Sequence, residues 1–250
     1  MKTAFYKEWL EQRRTHRLLI VCVVFFAFGL SSPLIARFMP EMFALIPGAE
    51  MLAGLIPEPG VVDAVSQYLK NLTQFGLLLA VLMGMTMVSG EKDKGTAAVV
   101  LAKPFSRTAF ILAKSAALGV SFFIGTLLAA AAGWYYTSLL FEPMPAGGWI
   151  AMNALLFVYF SLYASLTLLA STLCRSTLAS GGTAFGFIIV LALVEVIPAV
   201  RDHLTGGLLE WAAKLAMGLE GSAWGALGVC LGLIVMALAA SVLIFHRQEI

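Results

Sequence analysis

The side chains able to do chemistry in this chain are few and scattered. Ser180-Gly181-Gly182-Thr183 superficially offers a serine nucleophile. A serine needs an adjacent base to become reactive, and no histidine or lysine within the apolar runs is placed to serve it. His16, His203 and His246 all fall outside those runs or at their edges, which also leaves haem without an intramembrane ligand. Cys22, Cys174 and Cys230 form no CxxC pair and have no histidines at ligand spacing, so they read as unpaired packing residues. Glu195 offers two chemistries: a candidate outer-mouth polar site for a cation or polar substrate group, or a solvated interfacial carboxylate just before Pro198. No GxxxxGK[ST] phosphate loop is present. No catalytic, cofactor-binding or metal site follows from these residues, and the chain reads as a non-catalytic one.

The concentrated charge lies elsewhere. Val88-Ser89-Gly90-Glu91-Lys92-Asp93-Lys94-Gly95-Thr96 interrupts the apolar sequence, followed by Lys103-Pro104-Phe105-Ser106-Arg107 and then Lys114. Gly90 can end a helix, and the charges after it stop further insertion into a bilayer. Thr96 to Ala102 has the length of a two-turn helix presenting Ala97, Val100 and Leu101, ended by Pro104, which restricts the residue before it. Ser106 can cap the next helix, whose first turns carry Arg107 and Lys114. A short helix tied to two long ones is suited to passing on a push.

The elements that must position this segment are membrane spans. The 250 residues are 60% hydrophobic and 12% charged, against about 25% charged in soluble domains. A helix needs about 20 apolar residues to cross about 30 Å of hydrocarbon. Six runs qualify: Leu18 to Ala36, Leu72 to Ser89, Phe110 to Tyr136, Trp149 to Leu173, Leu178 to Ile197 and Trp224 to Phe245. None alternates apolar and polar residues as a barrel strand would. The fold class is therefore an all-α membrane protein with six transmembrane helices, in one domain spanning 1–250.

Lys and Arg placement orients the spans. With both termini inside, twelve basic residues lie on the cytosolic face, and only Arg37, Lys70, Arg201 and Lys214 lie outside. Residues 37–71, with Pro40, Pro47, Pro57 and Pro59, make an external segment. Residues 198–222 make a second one, re-entrant or interfacial, built on Leu208-Leu209-Glu210-Trp211-Ala212-Ala213-Lys214-Leu215. In residues 1–17, Phe5, Tyr6 and Trp9 gather on one side of an amphipathic interfacial helix. Glu8 and Glu11 in that leader argue for a retained span rather than a signal peptide. Small residues four apart recur at Gly76, Ala80 and Gly84, at Gly125, Ala129 and Gly133, at Gly182 and Gly186, and at Gly228 and Gly232. Such spacing lets helices approach closely, within a bundle or across a dimer seam. The net charge of +2 gives no reason to expect a nucleic-acid partner.

Glu91-x-x-x-Gly95-Thr96, then Leu101, then Pro104-Phe105-Ser106-Arg107, with Lys114 seven residues on, resembles the cytosolic signature of ABC transporter permeases of the type-2 exporter class. The resemblance covers nearly the whole chain, including the interfacial N-terminal helix and the outer element between the last two spans. Ala97, Ala98, Val99 and Lys103 depart from the family's usual residues. In that family the segment between the second and third spans, here 91–107, is a coupling helix that docks on an ATP-binding subunit. The resemblance implies that Glu91, Asp93, Lys94, Gly95, Thr96 and Leu101 touch or position that contact. It implies that Pro104, Ser106, Arg107 and Lys114 shape the exit into the third span. It further implies two ABC ATPase subunits carrying ATP and magnesium, a second permease copy, and export across a bacterial inner (plasma) membrane. A non-transporting scaffold or assembly factor is the alternative from another class, distinguished by the absence of any ATPase partner. A secondary carrier is disfavoured because little but Asn153 is polar at mid-span.

Overall fold

The computed structural model describes residues 2–45, 58–95 and 106–248, and every regular element among them is helical. Helix α1 (Lys2–Arg14) and α2 (Arg17–Ala44) meet at His16, which takes a positive φ of 57° to turn the chain sharply. Then come α3 (Val61–Gly84), the short α4 (Ser89–Asp93), α5 (Arg107–Leu140) and α6 (Ala146–Leu173). The chain ends with α7 (Thr177–Val194), α8 (Pro198–Arg201), α9 (Thr205–Ala216) and α10 (Trp224–Arg247). Six helices are long and apolar enough to cross a membrane.

The helix boundaries follow from local chemistry. Ser106 accepts a hydrogen bond from Ala109 N at 3.1 Å and Ser176 one from Ala179 N at 3.3 Å, starting α5 and α7. Asp63 accepts from Gly60 N at 2.9 Å to start α3. Both ends of the expected 37–71 segment differ from expectation in form. Residues 37–44 continue α2 through Pro33 and Pro40, and α3 begins at Val61, eleven residues before the apolar run. Helix prolines are tolerated where neighbouring helices support the backbone. The expected second span also does not run unbroken to Ser89: α3 stops at Gly84, and the chain resumes as α4.

Helix α6 is the most enclosed, touching α3, α5, α7, α9 and α10, while α2 fills the groove beside α5 and α3. Phe25, Phe122 and Phe160 from three of these helices meet with ring centroids 5.0–5.8 Å apart. Two of the glycine sets are internal contacts. A β-carbon at Gly76 would fall 2.2 Å from Phe160, and one at Gly125 would fall 2.6 Å from Val21. Gly29, outside those sets, brings α2 onto the α5 backbone, where a β-carbon would lie 2.6 Å from Ala129 O. A β-carbon at Gly182, Gly186, Gly228 or Gly232 would meet nothing within 4 Å among the described residues, so α7 and α10 turn their small-residue faces out of the bundle.

The region 198–222 folds back beside α6. Thr205 lies next to Tyr163, and Leu215 O sits so close to Gly148 that a β-carbon there would fall 1.9 Å away. At 12 residues α9 is about 18 Å long, short of a full crossing. It covers the starting end of α6, whereas α4 packs near that helix's far end.

Candidate coupling site

The site begins where α3 breaks. Between Gly84 and Ser89 the helical hydrogen-bond ladder is interrupted, and α6 supplies partners it loses. Ser171 Oγ accepts from Val88 N and Ser89 N, each at 3.0 Å, and donates to Met85 O at 2.9 Å. Ser89 Oγ also donates to Met85 O. A buried backbone group left unmatched would be costly, so one serine on α6 fixes the direction in which α4 leaves the bundle. Lys92, on α4, donates to Thr172 O at 2.5 Å, a cation placed at the carbonyl end of α6 where the helix dipole favours it.

Glu91, one turn into α4, points inward. Lys114 Nζ on α5 donates to Glu91 Oε1 at 2.7 Å and to Glu8 Oε2 on α1 at 3.0 Å. Lys7 Nζ closes the group, 2.8 Å from Glu91 Oε1 and 2.9 Å from Glu8 Oε1. The side chains of Lys114, Glu8 and Glu91 are 1%, 5% and 12% exposed, while that of Lys7 is 40% exposed. The buried carboxylates Glu8 and Glu91 share Lys114 and Lys7, with the more exposed Glu11 3.7 Å from Lys7 at the rim, and pairing of this kind is the condition for keeping such charges together away from water. Burial works against the charged form of Lys7, but the hydrogen bond to Glu91 and the nearby Glu8 outweigh it, and its pKa lies above the ordinary lysine value. Lys114 also lies 4.7 Å from the centre of the Phe110 ring. Three segments far apart in sequence are thereby joined: the leader helix, the start of the charged segment, and α5.

The leader helix packs on the protein through a face adjacent to the one its aromatics mark. Ala4, Glu8 and Gln12 are its buried residues, spaced one turn apart against α5 and α2. Phe5 and Trp9 stack with centroids 6.5 Å apart, and Tyr6 is 65% exposed. An interfacial helix is thus compatible with the aromatic side, while the polar side anchors it to the protein.

The exit of the segment is tied to the last helix. Arg107 Nη1 donates to the carbonyls of Phe245, His246 and Gln248 at 3.0, 2.9 and 2.7 Å. Phe110 stacks on Phe245 at 5.0 Å, and Thr108 Oγ1 lies 3.0 Å from His246 Nε2. Ser106 acts as the expected cap.

Between these anchors Asp93, Lys94 and Gly95 are exposed. Gly95 has φ +67°, the left-handed geometry that ends a helix and favours glycine. A groove of about 410 Å³ runs beside them, lined by Lys7, Arg17, Thr86, Glu91, Asp93 and Thr177 among others. Thr96, Leu101 and Pro104, with the expected two-turn helix, lie outside the described residues.

Glu195 sits at the other end of the bundle. Its Oε1 accepts from Thr205 Oγ1 at 2.6 Å, Thr205 N at 2.8 Å and Gly206 N at 3.4 Å. This oxygen caps the start of α9. Ser180 is buried within α7, with no hydrogen-bond partner for its hydroxyl among the described residues. The three cysteines are free thiols.

Lys7, Glu8, Lys92 and Ser171 belong to the site but were not foreseen in it. The signal for Glu8 was available: an acidic residue within a basic leader, one turn from Ala4 and from Gln12 on a single face. Ser171 carries no such mark, because a serine near the end of an apolar run is ordinary.

Residues 3–204 match the protein family described as ABC-2 family transporter protein. Over 227 residues the chain is 24% identical to a Bacillus subtilis (strain 168) protein described as uncharacterized transmembrane protein YxlG, covering 87% of this chain and 85% of that one.

Proposed function

Because this chain belongs to the ABC-2 transporter family, we propose that it is the permease subunit of an ATP-driven exporter, worked by ATPase subunits that are separate chains. The observation carrying this reading is the exposed Asp93-Lys94-Gly95 tip, held by the buried cluster of Lys114, Glu91, Glu8 and Lys7. A tip meant only to be solvated needs no such anchor.

The arrangement makes the tip a lever. Force on Asp93 and Lys94 passes through Glu91 to Lys114 on α5 and through Glu8 to α1. It passes through Lys92 and Ser171 to the end of α6. Helix α6 carries α9 at its opposite end, so a displacement on the ATPase side reaches the external cap along one rigid element. Arg107 brings α10 into the same movement from the exit side. Closure of two ATPase subunits around ATP and magnesium would favour one bundle arrangement over another, and that difference supplies direction. The Lys and Arg bias supports cytosolic placement of the tip and both termini in a bacterial inner membrane. The outward small-residue faces of α7 and α10 support pairing with a second permease copy.

A photoreactive group attached at Lys94→Cys in native membranes tests the reading. Illumination should join the chain to a protein bearing a phosphate-binding loop, identified by mass spectrometry. Crosslinks only to lipid or to other membrane proteins would favour the scaffold reading and overturn this one.

A further inference from the structure

The leader helix has a second side besides the one that reaches the buried cluster. At about 100° per residue, Lys2, Phe5, Tyr6, Trp9 and Arg13 of α1 fall within a sector of about 100°. Lys2, Tyr6 and Arg13 are exposed, while Phe5 and Trp9 are half-buried and stacked on one another. Both carboxylates of α1 lie away from that sector. Glu8 is buried against Lys114, and Glu11 is 3.7 Å from Lys7 on the flank bordering the groove with Asp93 and Lys94. Lys2 and Arg13 make no ion pair and no side-chain hydrogen bond among the described residues. The charged residues at this end of the two helices packed against α1 are Arg17 on α2 and Arg107 and Lys114 on α5, all basic. The stripe therefore joins aromatic rings to positive charge that no described carboxylate pairs with.

Helix α2 fixes the level of α1 in the membrane. The chain turns at His16, and α2 is apolar enough to span from Arg17 onward. Leu19, Ile20 and Val23 in its first turns are exposed, as side chains that meet hydrocarbon are. Helix α1 thus lies where headgroups begin, the level at which tryptophan, tyrosine and long basic side chains are favoured. Basic side chains at that level attract anionic headgroups. We propose that the stripe of Lys2, Phe5, Tyr6, Trp9 and Arg13 seats anionic phospholipid of the bilayer. Lys2 and Arg13 meet the phosphates, and Phe5 and Trp9 rest at the edge of the hydrocarbon. This contact does not depend on an ATPase holding α4. The cytosolic placement proposed above supplies only the leaflet.

Trp9 can report the contact directly. Of the five tryptophans it alone lies at this end, since Trp134 meets Trp149 and Trp211 meets Trp224 at the other. The purified full chain is placed in nanodiscs of phosphatidylcholine with a minor fraction of phosphatidylglycerol. Bromine is carried on the acyl chains of the phosphatidylglycerol or, at the same mole fraction, of the phosphatidylcholine. The Trp9 signal is the difference between wild type and Trp9→Phe. Brominated phosphatidylglycerol should quench it as though enriched about fivefold over the choline lipid, the gain from one basic side chain at an anionic surface. Salt at about 1 M, where screening acts within about 3 Å, should erase the difference without any substitution. Lys2→Gln/Arg13→Gln should also erase it, with a melting temperature near wild type because both side chains are exposed. Arg14→Gln removes an exposed cation at the same helix end but outside the sector, and should keep most of the preference. Equal quenching by the two lipids in wild type would overturn the proposal. So would a preference that survives the salt or the double substitution, or one lost as fully in Arg14→Gln.

Discussion

Removing the ammonium group of Lys114 is the most informative perturbation of the charge cluster. Its Nζ is within 3.1 Å of three carboxylate oxygens, Glu8 Oε1, Glu8 Oε2 and Glu91 Oε1, and its side chain is 1% exposed. Lys114→Met preserves the stem and deletes the charge, leaving Lys7 as the cation that Glu8 and Glu91 share among the described residues. Breaking a buried ion pair by removing one partner costs about 3–5 kcal/mol. The lower end applies here, because Lys7 is 40% exposed and still reaches both carboxylates. A loss of about 3 kcal/mol in a chain of this size lowers the melting temperature by roughly 6–12 °C. The assay is thermal unfolding in lipid nanodiscs, paired with maleimide labelling of Ala4→Cys, which reports release of α1 from its buried seat. Lys114→Met should accelerate labelling as it lowers the melting temperature. Adding Glu8→Gln should recover part of both losses, since it removes one of the stranded charges. A melting temperature within about 2 °C of wild type, with slow labelling, would refute the claim that the cluster binds α1, α4 and α5 together.

Other consequences follow from the same contacts. Glu11→Gln, at a half-exposed carboxylate 3.7 Å from Lys7, should change stability by less than about 1 kcal/mol in the same melting assay. Arg107→Ala should free the last turn of α10, speeding hydrogen exchange around Phe245 and His246 while leaving exchange in α3 unchanged. Glu195→Gln should weaken the cap of α9 by about 1 kcal/mol and raise exchange at Thr205 and Gly206. Gly125→Leu should prevent assembly of a stable bundle because of its contact with Val21, whereas Gly228→Leu should leave monomer stability near wild type.

The number and type of the long helices were legible because apolar run length, a simple physical requirement, decides them. Their ends were less so. The helical residues 37–44 and 61–71 are too polar or proline-containing to register as span, yet the backbone continues there because α2 and α3 support one another. The charged segment was legible as a break in the apolar pattern, and Arg107, Ser106, Glu91 and Lys114 within it all have defined partners. What sequence could not give was the direction of Glu91, since exposed and buried carboxylates are identical in a string of letters. Glu8, 83 residues away along the chain, joins Glu91 only through the three-dimensional packing of α1 on α5. Aromatics in the leader suggested a side facing the headgroups, and the buried Ala4, Glu8 and Gln12 beside them were not marked by that pattern.

On the proposed function, an ATPase holds the exposed end of α4. The direct measurement is mild-detergent purification of the tagged chain from its native cells, with mass spectrometry of the proteins that co-elute. A stoichiometric ABC ATPase should co-elute with wild type and be lost from Asp93→Arg/Lys94→Glu, while the variant's melting temperature stays near wild type because both side chains are exposed. An intact membrane complex with no ATPase, or an ATPase retained unchanged by that variant, would contradict it.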